Sequence, residues 1–285
     1  MDDNDRHCEA LVRVADKDRY LATLFAPADT GGALFALYAF NHEIASIRER
    51  AREPMPGEIR LQWWRDVLNN ERSGEAAANP IAAALLNIIA GFQLPVGALL
   101  DLIEAHSFDL YDDPMPMLAA LEGYARKTES GVFEMAARLV IGNDHGAISP
   151  AAEHAGIAQT LAGILRSFAG DASRRQVYVP LELLERRNVR AEQVLAGETT
   201  TELREALADL RAEARGHLGA FEKLLPQLPA ASIAAFLPVA LIPGYLGVME
   251  RPDYDPFRSA VQVPQWRRQW VLWRAARRWA GAMQG

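Results

Sequence analysis

Apolar residues recur along most of the chain at spacings of three and four, and alternating apolar/polar runs are nearly absent. The pattern predicts an all-α protein. Helices are expected at about 6–25, 30–52, 57–72, 79–91, 95–109, 116–141, 149–169, 199–225, 229–246 and 266–283. Turn-forming clusters separate them: Pro27-Ala-Asp-Thr-Gly-Gly, Pro54-Met-Pro-Gly, Asp113-Pro-Met-Pro, Gly142-Asn-Asp-His-Gly and the stretch from Pro226 to Pro229. In LRSFAGDASRRQVYVP an apolar helix ends, two arginines stand side by side, and the chain restarts as an extended segment. No low-complexity linker and no repeat of fixed period interrupts the pattern, so a single helical domain over 1–285, built around a central cavity, is the expectation.

Composition narrows the classes. Half of the 285 residues are hydrophobic, enough for a sizeable core. The single cysteine, Cys8, excludes a disulfide framework and fits a reducing compartment. The opening MDDNDRHCEA resembles neither a secretory signal nor an arginine-rich transit peptide, which predicts a cytoplasmic location. The most apolar stretch, SIAAFLPVALIPGYLGVM, is broken by Pro238, Pro243 and two glycines, so no membrane span is expected. A net charge of -7 repels nucleic acid, which is not an expected partner. Two local basic patches remain: Arg174-Arg175, and the tail VPQWRRQWVLWRAARRW with five arginines and no acid.

Three constellations could carry chemistry, and each has an ordinary structural reading beside it. In GGALFALYAFNHEIASIRERA, Phe35, Leu37, Tyr38 and Phe40 suit a core, while His42, Glu43, Ser46 and Glu49 follow at helical spacings. Some of these share a face and could address one ligand; with Arg48 and Arg50 they could equally form surface ion pairs. In IEAHSFDLYDD, Asp112 and Asp113 precede Pro114 and suit a turn, whereas Asp109, between Phe108 and Leu110, is the better candidate to face inward. In EGYARKTESGVFEMAARLVIG, small residues could line a long apolar tunnel or simply allow close helix packing.

The blocks YLATLFAPADTGGALFALYAFN, LQWWRDVL, FDLYDD with LEGYARKTESGVFEMA, and AGIAQTLAGILRSFAGDASRRQVYVP, in this order, resemble the squalene/phytoene synthase family. The likeness is clearest over 18–184. It implies an all-α isoprenoid-synthase-like bundle around a deep apolar cavity, whose members condense two prenyl diphosphates head to head. That chemistry uses two aspartate-rich helix faces holding magnesium, which neutralises the departing diphosphate. The resemblance places the first motif on Ala45-Ser46-Ile47-Arg48-Glu49 and the second on Ser167-Phe168-Ala169-Gly170-Asp171. Only Glu49 and Asp171 carry a carboxylate there. Asp18-Arg19 also stands where the synthases usually have Ser-Phe.

The motif positions Ala45, Ser46, Glu49, Ser167 and Asp171 are therefore read as degraded, with no catalytic residue and no metal expected. The candidate ligand-binding set is Tyr38, His42, Glu43, Glu49, Asp109, Arg166, Asp171, Arg174, Arg175 and Tyr178. SRRQVYVP, YLATLFAP, FALYAFN and YARKTES look most like the divergent branch of assembly factors for respiratory complex I. This implies a noncatalytic role, with complex I subunits or an isoprenoid or lipid ligand as partner and no cofactor. The alternative is an active transferase using Mg²⁺ on Glu49 and Asp171. In the basic terminal helix, 264–285, Trp266, Trp270 and Trp273 lie at i, i+4 and i+7. They could rest on an anionic inner-membrane surface, or close the core with the arginines solvated.

Overall fold

The computed structural model describes residues 2–51, 53–142 and 146–282, and no β-strand occurs among them. The expected helices are present, most with different ends. The 6–25 segment is two helices, Asp3–Ala15 and Lys17–Thr23, because Asp16 leaves the helical conformation and its side chain caps the second through Arg19 N–H. The 30–52 segment is Gly31–Ala45 followed by the single turn Ile47–Arg50. Ser46 divides them: its hydroxyl donates back to the His42 carbonyl at 2.6 Å, a bond that competes with helix continuation. The 116–141 segment holds together from Leu118 to Ile141 but widens to a π-turn over Arg126–Ser130. Most of the turn expected between Gly142 and Gly146 lies outside the described residues.

The helix Ile148–Ser173 is the axis of the bundle. It lies against Thr201–Leu224, the π-turn and Gly131–Ile141. Its closest approach is at Gly156, where a Cβ would stand 2.2 Å from Ser130 N, so the crossing requires glycine. Phe40, Phe133, Phe221, Phe236, Leu34 and Leu37 are among the fully buried side chains. Cys8 is also buried, and loss of solvent pushes its thiol up to about 12.

The helix expected at 229–246 is a succession of short pieces: Ala230–Ser232, Ile233–Phe236, Leu237–Leu241 and Ile242–Met249. Pro238 and Pro243 lack N–H donors, which favours tight turns over an uninterrupted α-helix. Contrary to expectation, the whole run Ala230–Met249 is long and apolar enough to cross a membrane by length and composition, with a mean hydropathy of 1.8. Of its most apolar 18 residues, 67% are buried among the other helices, as in a core segment.

Short helices at Ser73–Ala78, Leu181–Arg186 and Ala191–Leu195 were not legible in the periodicity, being too brief to show it. The segment after Arg175 is extended as expected. Met115 N–H donates to the Val177 carbonyl, and Leu181 N–H donates back to Met115, both at 2.9 Å. This pairing fixes Gln176 and Tyr178 beside the short 3-10 helix Phe108–Leu110 that carries Asp109.

Candidate functional site

The two motif segments face a common cavity of about 320 Å³. Ala45, Arg48 and Glu49 contribute from one side, and Thr160, Ser167, Asp171 and Arg174 from the other. His106, Asp109, Tyr124, Glu129, Gln176 and Tyr178 close it. A cavity was expected; most of the side chains lining it carry polar or ionisable groups, while more of its surface is apolar than polar.

Asp171 and Glu49 are brought together by a cation. The Arg174 Nη2 donates to Asp171 Oδ1 at 2.6 Å and lies 3.7 Å from Glu49 Oε1. Arg174 follows the end of Ile148–Ser173, so its side chain folds back over the last turn onto Asp171 three residues earlier. The other Asp171 oxygen accepts from the Ser167 hydroxyl at 2.5 Å. Burial pushes the Asp171 carboxyl up to about 6; the Ser167 and Arg174 contacts pull it the other way and do not prevail.

Asp109 is buried, and both of its carboxylate oxygens have partners. Its Oδ2 meets His106 Nδ1 at 2.6 Å and accepts from the Tyr124 hydroxyl at 3.0 Å, while Oδ1 accepts from the Tyr178 hydroxyl at 2.8 Å. Gln176 Nε2 donates to the Asp109 carbonyl at 2.8 Å and to Tyr178 at 3.0 Å. Both phenols are pushed up, first by burial and then by the adjacent carboxylate, so they stay protonated as donors. The network locks the cavity wall and leaves Asp109 little capacity to ligate a metal.

A second buried pair lies deeper. Arg19 Nη2 donates to Glu129 Oε2 at 2.6 Å, and its Nη1 lies 3.7 Å from Asp16 Oδ2. Its guanidinium sits 4.9 Å from the Tyr38 ring centroid and 5.9 Å from that of Phe133. Burial pulls the Arg19 pKa down, but the carboxylates outweigh it and the net direction is upward. A full charge thus occupies a position between aromatic rings, behind a cavity-lining glutamate.

The remaining sequence candidates separate from this cluster. Ser46 is turned back onto its own helix. Glu43 binds Arg50 at 2.9 and 3.0 Å and lines a different cavity with Trp63 and Trp64. His42, one position earlier, is half-buried and is in the lining of neither cavity. Tyr38 is buried against Arg19. Arg166 packs 3.9 Å from the Tyr245 ring centroid and 3.7 Å from Asp18, away from Asp171. Arg175, in a left-handed conformation at φ 64°, stays exposed with Asp112 at 3.7 Å, so the adjacent arginines part company. Arg48 reaches Asp112 at 2.9 Å, giving that aspartate a partner beyond its turn.

Sequence reasoning did not select Tyr124, Glu129 or Gln176. Tyr124 and Glu129 lie within YARKTES, and His106 stands one helical turn from Asp109; those spacings were the available signal.

As a magnesium site this donor set does not fit. Asp171 is bound by Arg174 and Ser167, Glu49 faces the same guanidinium, and Asp109 is already held by His106 and two tyrosine hydroxyls. Among the described residues no group of three or more His, Cys, Asp or Glu is arranged to hold a metal. What the cluster offers instead is a polar, ion-paired recess with one carboxyl poised to titrate in the mildly acidic range.

An all-helical bundle with two opposed motif segments at one cavity defines the isoprenoid-synthase fold. A dehydrosqualene synthase of known structure superposes with a TM-score of 0.85 over 96% of both chains at 19% identity, which establishes that fold. The squalene/phytoene synthase profile matches residues 12–274, and the chain belongs to that family. Complex I assembly factor 6 of Bos taurus is 28% identical to it, across 90% of this chain and 77% of the relative. The 15-cis-phytoene synthase of Synechococcus elongatus is 24% identical, across 92% of this chain and 88% of the enzyme.

Proposed function

We propose that this chain is a noncatalytic family member that assists assembly of respiratory complex I at the cytoplasmic face of the membrane. The observation that carries the reading is the position of Arg174 between Glu49 and Asp171. A head-to-head transferase needs metal charge at that point to neutralise leaving diphosphate. Here the positive charge is a side chain, fixed by one carboxylate and unable to supply open coordination positions. The Arg19–Glu129 pair supports the same reading, because a buried charge among Tyr38 and Phe133 is a poor wall for an isoprenoid chain. Likeness to complex I assembly factors across most of the chain supplies the direction of the proposed role. The protein uses no cofactor in this reading, and its recess meets a complex I subunit.

The test joins genetics to chemistry. Deletion in the native host should lower assembled, NADH-oxidising complex I, and purified protein with farnesyl or geranylgeranyl diphosphate and Mg²⁺ should form no condensed product. Normal complex I in the deletion strain would refute the assembly role. Metal-dependent condensation above a heat-killed control would restore the transferase.

A further inference from the structure

The terminal helix Gln265–Ala282 has two opposite faces, and its tryptophans do not share one role. Leu272, Ala275 and Trp279 are buried, with Trp279 set edge-on against Phe221 at 5.8 Å between centroids. Arg268 turns inward too, 3.5 Å from the buried Asp18. The helix is thus a structural part of the bundle, and its orientation is fixed. Trp266, Trp270 and Trp273 point the other way, exposed by 70%, 50% and 49%. Core packing accounts for Trp279 and leaves these three without a role.

We propose that this outward face is a docking surface for an anionic phospholipid bilayer. Three observations select that occupant. The tryptophans fall on one stripe at i, i+4 and i+7, and an indole combines an apolar body with a single N–H donor, which suits the headgroup boundary. Exposed arginines accompany them: Arg274 lies 5.1 Å over the Trp270 ring and Arg277 5.0 Å over Trp273, with Arg267 beside them. No acidic residue follows Asp255, while the chain as a whole carries -7. The rest of the surface is therefore repelled by the membrane that attracts this helix, and the protein is oriented as well as bound. Beside the stripe, a groove of about 380 Å³ has Val239, Leu241 and Val271 among its lining, with Arg267, Arg274 and Arg278. Apolar ground and cationic edge are thus continuous.

The test is co-sedimentation of the full chain with vesicles of phosphatidylcholine, alone or doped with phosphatidylglycerol. Wild type should pellet with the doped vesicles only, and rising salt should release it. Two triple variants, Trp266→Ser/Trp270→Ser/Trp273→Ser and Arg267→Glu/Arg274→Glu/Arg277→Glu, should each weaken binding by about tenfold or more at unchanged melting temperature. If a variant does not fold, quenching of wild-type tryptophan fluorescence by brominated phosphatidylglycerol decides, and its absence overturns the proposal. Wild type that ignores anionic vesicles, or folded variants that bind as wild type does, also overturns it. A dimer in sedimentation equilibrium, lost in the tryptophan variant while vesicles have no effect, would assign the face to a second copy instead.

Discussion

Arg174 and Asp171 form a 2.6 Å ion pair three residues apart, at the end of the helix whose last turn lines the cavity. The same guanidinium nitrogen lies 3.7 Å from Glu49, on the opposite motif segment. One arginine therefore joins carboxylates from the two segments that face each other across the cavity. It also sets what should happen when either member is changed.

The Asp171 carboxyl should titrate near pH 6, followed as a carbon-13 shift, because burial outweighs its polar contacts. Arg174→Ala should move that midpoint higher still, since the positive charge favouring ionisation is gone. A midpoint that stays put, or falls, would mean that the pair does not form in solution.

The same shift fixes a pH dependence of stability. A carboxyl whose folded pKa is raised from 3.8 to about 6 contributes stability that is fully present below 3.8 and is lost as pH rises through 6. The stability difference between wild type and Asp171→Asn should therefore shift against wild type as pH rises from 4 to 7. The change is roughly 3 kcal/mol at most. Urea melts across that range provide the comparison, and a flat difference would contradict the buried carboxyl.

Glu129→Leu leaves Arg19 buried beside Tyr38 and Phe133 with only Asp16 to oppose its charge. Breaking a buried pair at one end costs about 3 kcal/mol. Adding Arg19→Met should recover much of that loss, because the orphaned charge leaves too. Denaturant titration of both variants checks it; additive losses would show that the pair is not coupled.

Gly156→Ala would push a methyl against the backbone of Ser130, at 2.2 Å from its nitrogen. Backbone cannot swing aside as a side chain does, so a loss of about 2 kcal/mol or more is expected. Thermal unfolding reports it directly.

The two neighbouring arginines should separate under mutation. Arg174→Ala should disturb the cavity as described, whereas Arg175→Ala, exposed and loosely placed near Asp112, should change stability by no more than about 0.5 kcal/mol. Equal effects at the two positions would contradict the geometry.

Much of the architecture was legible before any coordinates. Periodicity of three and four placed the long helices, since an apolar stripe along a helix must find a core. Ordered blocks such as LQWWRDVL and SRRQVYVP carried the family likeness, and that likeness singled out Glu49 and Asp171, which do line one cavity. Helix ends were less legible. The break at Ser46 depends on one hydroxyl bonding a carbonyl, a local competition that hydrophobic pattern does not record.

Sequence alone determined an all-helical member of a recognisable family. Tertiary structure decided which charges meet. Arg48, adjacent to Glu49 in sequence, bonds Asp112 instead, and Arg174 arrives from a segment more than a hundred residues away to face Glu49. It also decided that Trp279 closes the core while Trp266, Trp270 and Trp273 face outward. Those outcomes turn on the angle at which each helix face is presented and on chain segments remote in sequence meeting in space. Spacing along the chain gives the faces of a helix; only packing chooses which of them is buried.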